Sequence, residues 1–309
     1  MASLSVKIAV VPSNRALEDA VREGGASLSA PEGADAIVWG DPFHPEVLRD
    51  LLRGSPAKWV QLPFAGIERF VEAGVITPDR TWTCAKDIYG AACAELAVGL
   101  IVLGARQLHS HARLNAWWRG DDEHKHRRLD GTRAVIVGTG GIGRELASML
   151  APLGVSCAGV NRSGRDAAGF AETFAVSSLS SLAREADWLV IAAAATPETH
   201  HLVDRALLSV LKPDCWIINV ARGSLVDQDA LVEHLRAHPS AGAALDVTDP
   251  EPLPDDHALW TLGNAIITSH TANTFDMALP ELRALVRRNV ERFVKGEQLE
   301  GLVDPALGY

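Results

Sequence analysis

The sequence is poor in cysteine. Its four, Cys84, Cys93, Cys157 and Cys215, are scattered through apolar stretches and form no C-x-x-C pair. That spacing excludes a zinc ribbon and a disulfide framework and fits core thiols in a reducing compartment. Long hydrophobic runs are missing as well. The longest uncharged apolar stretch, Leu96 to Ala105, is about half of what a bilayer span requires, so no membrane partner is expected. The N-terminus carries one cation, Lys7, and only a short apolar run before Pro12, too little for the apolar core of a secretory signal; it reads as a first strand. Positive charge is in deficit. The 29 Lys and Arg stand against 39 Asp and Glu, and the formal charge of −10 disfavours phosphate backbones and anionic lipid surfaces. A cytoplasmic protein without nucleic-acid partners is the expectation.

What is present is an ordinary globular composition, 47% apolar and 22% charged over 309 residues, which suits two domains or one large α/β domain. Short apolar runs at 8–11, 37–39, 59–62 and 81–85 alternate with polar segments of helical length. That order gives a parallel sheet covered by helices. A long apolar helix is predicted over 92–106, and the charged stretch 121–128 reads as a solvated arm or linker. The alternation resumes with strands at 134–137, 155–160, 188–194, 215–220, 243–247 and 265–268, mostly separated by helical segments such as 142–151 and 228–238. Six such strands suit a doubly wound nucleotide-binding domain. The segment 278–295 has the spacing of an amphipathic helix, with Leu279, Leu282, Leu285, Val286, Val290 and Phe293 on its apolar side, and is expected to return to the first domain. The domains are therefore placed at 1–98 completed by 276–309, and at 99–275.

Gly138-Thr139-Gly140-Gly141-Ile142-Gly143 lies between a predicted strand and a predicted helix, the setting in which a G-x-G-x-x-G match carries meaning. Gly138 permits the turn, Gly140 lets the backbone approach a pyrophosphate, and Gly143 allows close helix packing. The anion would sit at the helix N-terminus. A glycine-rich turn without a ligand is the alternative. One strand later, Asn161-Arg162-Ser163-Gly164-Arg165 stands where an NAD site places an acid on the ribose. Arg162 and Arg165 offer charge-assisted hydrogen bonds to a 2′-phosphate, and Ser163 and Asn161 offer neutral ones, so NADPH is predicted over NADH. A solvated basic turn is the competing account.

Three polar segments fall at the C-terminal ends of strands in the second domain, where open α/β sheets hold ligands: Asn219-Val220-Ala221-Arg222-Gly223-Ser224, then 245–252 with Asp246 and Glu251, then Ile267-Thr268-Ser269-His270-Thr271-Ala272. They supply a guanidinium, a carboxylate and an imidazole. Singly, each has a duller role as a loop brace, a surface acid or a hydrogen-bonded loop histidine. Together with Phe64-Ala65-Gly66-Ile67, Ala94-Glu95, the glycine loop and Thr196-Pro197-Glu198-Thr199, they form an ordered series along nearly the whole chain. In that series the sequence resembles the D-isomer-specific 2-hydroxyacid dehydrogenase family, and within it the length, the Asn161-Arg162-Ser163 segment and the ending Leu302-Val303-Asp304-Pro305 through Tyr309 look most like the NADPH-using glyoxylate/hydroxypyruvate reductases.

The resemblance implies an α/β fold of two Rossmann- or flavodoxin-like domains, each a parallel sheet flanked by helices, with the active site in the cleft between them. It implies a homodimer acting on a small 2-oxo or 2-hydroxy acid, with Arg222, Glu251 and His270 carrying the chemistry. Arg222 would hold the substrate carboxylate and polarise the 2-oxo group, His270 would protonate the carbonyl oxygen, and Glu251 would orient His270. Phe64, Ala65, Gly66 and Ile67 would meet the substrate, with Phe64 and Trp260 closing the pocket. The cofactor would meet Gly138, Gly140, Gly141, Ile142 and Gly143, the 161–165 segment, Ala194, Val220, Ala221 and Asp246, although Asp246 reads equally well as a strand-end brace. The chain departs from the family at Leu96, where many members have His, and at Ala194 and Ser269, where Pro is common. The histidines at 109, 111, 124 and 126 lie in polar segments without a cysteine or a third spaced ligand, so no metal is expected. Trp117 and Trp118, beside the arm, read as packing or dimer contacts. A nicotinamide-sensing binding protein or corepressor on the same fold would not need Arg222, Glu251 and His270 together, and a methyltransferase would not need the Asn-Arg-Ser segment.

Overall fold

The computed structural model describes residues 6–86, 88–115, 117 and 126–305. Residues 118–125 of the charged arm, with Trp118 and His124, and the ending 306–309 lie outside the described residues. The chain divides into two units, Met1–Tyr89 with Thr274–Tyr309, and Gly90–Asn273.

The first unit is a five-stranded parallel sheet of β1 (Lys7–Val11), β2 (Ser27–Leu28), β3 (Ala36–Trp39), β4 (Trp59–Gln61) and β5 (Thr81–Thr83), in the order β2-β1-β3-β4-β5. Every residue of β3 and β4 is buried, as a strand covered on both faces requires. On one face lie α2 (Pro45–Leu52) and α3 (Glu68–Glu72), which close a core of Trp39, Leu48, Val60, Phe70 and Trp82. On the other, α1 (Arg15–Glu23) buries Leu17, Ala20 and Val21. Two-residue β2 had no apolar run to announce it.

The second unit opens with α4 (Gly90–Ala105) and α5 (Leu108–Ala112) and is built on seven parallel strands: β6 (Arg133–Val137), β7 (Ser156–Asn161), β8 (Glu172–Ala175), β9 (Trp188–Ile191), β10 (Trp216–Asn219), β11 (Gly242–Leu245) and β12 (Ala265–Ile267). Their order is β12-β11-β10-β9-β6-β7-β8, so connections run outward on both sides of the β6/β9 pair. That pair is the switch point at which doubly wound sheets take ligands. Helices α4 and α6 (Gly141–Leu150) cover one face around Ile101, Ile136, Leu146 and Trp216. The other is covered by α7 (Leu179–Ala183), α8 (Arg205–Leu208) and α9 (Gln228–Ala237) around Leu189, Ile217, Leu231 and Leu235. The seventh strand is β8, an edge strand of Glu172-Thr173-Phe174-Ala175 whose polar residues masked it in the sequence. The boundary read at 98/99 falls inside α4; the division lies at Tyr89/Gly90 because Ala94, Ala97, Leu100 and Ile101 bury on the second sheet.

Helix α10 (Phe275–Lys295) returns to the first unit, capped by Thr274, whose Oγ1 accepts from the Met277 amide at 3.4 Å. It begins three residues before the 278–295 segment, because the cap lies one turn ahead of the apolar spacing. Leu282, Leu285, Val286 and Val290 meet the α1 side of the core. The approach is close: a Cβ on Gly24 would stand 2.6 Å from Val290 Cβ. Among the described residues no helix is long and apolar enough to cross a membrane.

Candidate active site

Loops at the C-terminal ends of six strands of the second unit carry the polar residues singled out above. After β6, Gly138 has a φ of 106°, open to glycine at little cost, and a Cβ there would stand 2.4 Å from the Ala192 carbonyl oxygen at the end of β9. A Cβ on Gly143 would stand 2.0 Å from the Gly138 carbonyl oxygen. Both glycines are demanded by the fold. Gly140 differs, since a Cβ on it meets nothing within 4 Å. It is the N-cap of α6, has no side-chain cap and leads into a first turn without acidic residues, leaving the positive end of the helix open to an anion. A pyrophosphate fits this cradle, with Gly140, Gly141, Ile142 and Gly143 as the residues that would hold it.

After β7, the Asn161 side chain is fully used by its own loop and by the glycine loop. Its Nδ2 donates to Thr139 Oγ1 at 3.1 Å and to the Arg165 carbonyl at 2.8 Å, while its Oδ1 accepts from the Ser163 and Gly164 amides at 3.1 and 2.7 Å. Asn161 thus organises the turn that displays Arg162, Ser163 and Arg165, all exposed. Arg162 also lies in the field of Glu198. The Thr196 hydroxyl, then the backbone amide of Glu198 itself and last the Arg162 charge hold the Glu198 carboxyl below its usual range. Ala194, exposed after β9, accepts from Thr199 Oγ1 at 2.8 Å.

After β10, Asn219 is buried and does for the Arg222 loop what Asn161 does for its own, accepting from the Ala221 amide at 3.0 Å and donating to the Arg222 carbonyl at 2.9 Å. Val220 and Ala221 are buried and Arg222 half-buried, its Nη1 donating to the Ala221 carbonyl at 2.7 Å. A Cβ on Gly223 would stand 2.0 Å from the Thr248 carbonyl, so the Arg222 loop lies directly on the loop after β11. Gln228, at the start of α9, binds the Asp249 amide and carbonyl together and holds that second loop.

Glu251 and His270 meet at its rim. Glu251 Oε1 lies 2.6 Å from His270 Nδ1, with the side chains 38% and 46% exposed, which leaves Nε2 as the ring nitrogen available to a ligand. His270 has a φ of 52°, uncommon outside glycine, and Asp246 holds it there. The Asp246 carbonyl accepts from the His270 amide at 2.8 Å. The Asp246 carboxylate accepts from Thr268 Oγ1 at 2.5 Å, from the Thr271 amide at 2.9 Å and from the Ala272 amide at 3.0 Å. With Asp246 only 2% exposed, the bracing role is the one its contacts express, and Oδ2 keeps one acceptor position at most. Cys93 on α4 belongs to the same neighbourhood. Burial, reinforced by the Asp246 charge and opposed by Arg222, pushes its thiol up to about 11. Asn219, Gln228, Thr268 and Cys93 were missed in the sequence; only the position of Asn219 at a strand end, just before Arg222, offered a signal.

In the first unit, loop 63–67 follows β4. Ala65 is exposed, Phe64 half-buried and Ile67 buried in the core, so Ile67 can offer its amide but not its side chain. Trp260, 46% exposed in the second unit, donates to the Pro254 carbonyl at 2.9 Å. In α5, His109 is buried edge-on against Trp216 rather than lying in a polar segment, whereas Trp117, before the arm, is 87% exposed.

The matched sheets, the glycine cradle and the Arg222, Glu251 and His270 loops define a dinucleotide-dependent dehydrogenase, and comparison with known proteins specifies the class. Residues 98–272 match the family described as D-isomer specific 2-hydroxyacid dehydrogenase, NAD binding domain. The chain is 40% identical to an uncharacterized protein in the proB 3′ region of Corynebacterium melassecola, over 94% of this chain and 95% of that one. It is 32% identical to the glyoxylate reductase/hydroxypyruvate reductase of Homo sapiens, over 69% of this chain and 66% of that one. A solved D-isomer specific 2-hydroxyacid dehydrogenase family protein from Aeromonas salmonicida subsp. salmonicida A449 aligns with a TM-score of 0.83 at 26% identity, covering 97% of this chain and 99% of that one. The chain belongs to the D-isomer specific 2-hydroxyacid dehydrogenase family.

Proposed function

We propose that the chain reduces a small 2-oxo acid of the glyoxylate or hydroxypyruvate kind to its D-2-hydroxy acid with NADPH. The observation that carries this reading is the 2.6 Å contact between His270 Nδ1 and Glu251, set in the same group of loops as Arg222. A carboxylate accepting from Nδ1–H fixes the ring and leaves Nε2 as the nitrogen that exchanges the proton with the substrate. That proton goes to the C2 oxygen as C2 gains a hydride, and returns to His270 in the oxidative direction. The Arg222 guanidinium grips the substrate carboxylate through two parallel N–H donors and draws charge onto the 2-oxo group. The Ala65, Gly66 and Ile67 amides of the first unit, the substrate-binding one, take the carboxylate as well. The nicotinamide, when bound, supplies the hydride.

Arg162, Ser163 and Arg165 receive the 2′-phosphate, which supports NADPH over NADH. Val220, Ala221 and Ala194 border the nicotinamide half, while Asp246 braces the loop beside it. Cysteines scattered through the core without C-x-x-C spacing suit a reducing cytoplasm, and exposed Leu108, Leu114 and Trp117 suit a homodimer contact. The test is spectroscopic: purified chain with NADPH and glyoxylate, hydroxypyruvate, pyruvate or phenylpyruvate, followed by loss of nicotinamide absorbance. His270→Ala is expected to lower kcat by about 10³-fold with NADPH affinity within about twofold of the parent. Undiminished turnover in that variant, or no turnover by the parent with any of the four acids, sinks the reading.

A further inference from the structure

Tyr89 ends the first unit and Gly90 begins the second. Each is packed on the ligand loop of its own unit. The Tyr89 hydroxyl donates to the Pro63 carbonyl at 2.7 Å, and its ring meets Phe64 edge-on with centroids 5.7 Å apart at 75°. The Ala85 amide donates to the Phe64 carbonyl at 3.2 Å. Two successive carbonyls, those of residues 63 and 64, are therefore anchored immediately before the Ala65, Gly66 and Ile67 amides. Since each peptide plane is rigid, the Tyr89 anchor on the Pro63 carbonyl sets the Phe64 N–H and the Ala85 anchor on the Phe64 carbonyl sets the Ala65 N–H, so together they fix the backbone at Phe64 from which the Gly66 and Ile67 amides follow. Gly90, for its part, starts α4 against the glycine loop. A Cβ on it would stand 3.0 Å from the Gly141 carbonyl carbon and 3.1 Å from its oxygen.

We propose that Tyr89 is a positioning residue that couples the two loops: order imposed on the glycine loop by the dinucleotide passes through Gly90 to Tyr89, and from the Tyr89 hydroxyl to the Pro63 carbonyl and the carboxylate-binding amides beyond it. This rests on the proposed reading of 64–67 as the substrate loop. Coupling of this kind is reciprocal, so each ligand raises the affinity of the other by the same factor. One hydrogen bond is at stake, and its removal corresponds to about a fivefold change in affinity.

The experiment is calorimetric titration of the full chain with oxalate, an unreactive mimic of a 2-oxo acid, with and without saturating NADPH, together with steady-state kinetics on the best oxo acid. The parent is expected to bind oxalate more tightly when NADPH is present. Tyr89→Phe keeps the ring and loses the hydroxyl. It should weaken oxalate binding to the NADPH complex about fivefold and raise KM for the oxo acid by the same factor, with kcat falling less than twofold and NADPH affinity alone unchanged within twofold. Gly90→Ala, which crowds Gly141, should weaken NADPH and oxalate together. A Tyr89→Phe protein that matches the parent in oxalate affinity and KM, or that loses NADPH and oxalate binding alike, overturns the role of Tyr89 while leaving the proposed activity standing. A parent that binds NADPH but neither oxalate nor any 2-oxo acid overturns both.

Discussion

Replacing Asp246 by Asn is expected to disable the His270 loop without touching the cofactor. The carboxylate is buried and accepts from Thr268 Oγ1, the Thr271 amide and the Ala272 amide. Asparagine keeps an oxygen for the first two but sets an amide N–H₂ against the Ala272 N–H, so one hydrogen bond to a charged acceptor becomes a donor facing a donor. Loss of that bond, together with the weaker pull of a neutral oxygen on the other two, amounts to about 2–4 kcal/mol. For a unit of this size that corresponds to a melting point lower by about 5–15 °C. His270, released from its left-handed backbone, would lose alignment with the reacting carbonyl, lowering kcat by about 10- to 100-fold. Differential scanning fluorimetry, kcat and NADPH affinity together discriminate. A lowered melting point and kcat with NADPH affinity within about twofold is the expected pattern. An unchanged melting point with weakened NADPH binding would mean that Asp246 serves the nicotinamide directly, and the bracing argument would fail.

Arg222→Lys should lower kcat/KM for the oxo acid about 10- to 100-fold, because a point charge replaces a two-donor fork; a change below twofold in steady-state kinetics would refute the carboxylate grip. Arg162→Ala should raise KM for NADPH about tenfold and leave KM for NADH within twofold, a clean test because Asn161→Asp would also turn a carboxylate toward the Arg165 carbonyl now bonded at 2.8 Å. His234, buried with Nε2 unpartnered among the described residues, is pushed by burial, and secondarily by His238, from its ordinary 6.5 down to about 4. As pH falls the unfolded chain takes up this proton first, so the stabilisation is complete above pH 6.5, about 2 kcal/mol lower at pH 5, and lost down to pH 4; urea midpoints between pH 7.5 and 4.5 should fall less steeply in His234→Phe, and equal slopes would contradict the assignment.

How far the sequence could be read depended on whether the signal was local. Buried strands such as Trp188–Ile191 and Trp216–Asn219 announce themselves as unbroken apolar runs, and the Arg222, Glu251 and His270 loops follow strand ends that such runs locate. The boundary at Tyr89/Gly90 was not legible, because α4 is apolar on nearly every side and its composition does not say which sheet it covers. Side-chain roles were harder still. Asn161 and Asp246 have the donors and acceptors to serve a ligand, and only the folded loops reveal that Thr139 and Arg165 occupy one and that 268–272 occupies the other.

The glycine motif holds both cases within six residues. Gly138 and Gly143 are glycine because a Cβ would collide with Ala192 and with Gly138 itself, constraints that any strand–turn–helix unit of this shape would impose whether or not it bound anything. Gly140 has free space around its missing side chain, so the protein's own packing gives no reason for glycine there. A residue kept bare at the open N-terminus of α6, where the helix dipole favours an anion, is accounted for by the close approach of a ligand from outside the chain. The pattern as written in the sequence gives the three glycines equal standing, and it is Gly140 that turns a packing motif into an argument for a bound dinucleotide.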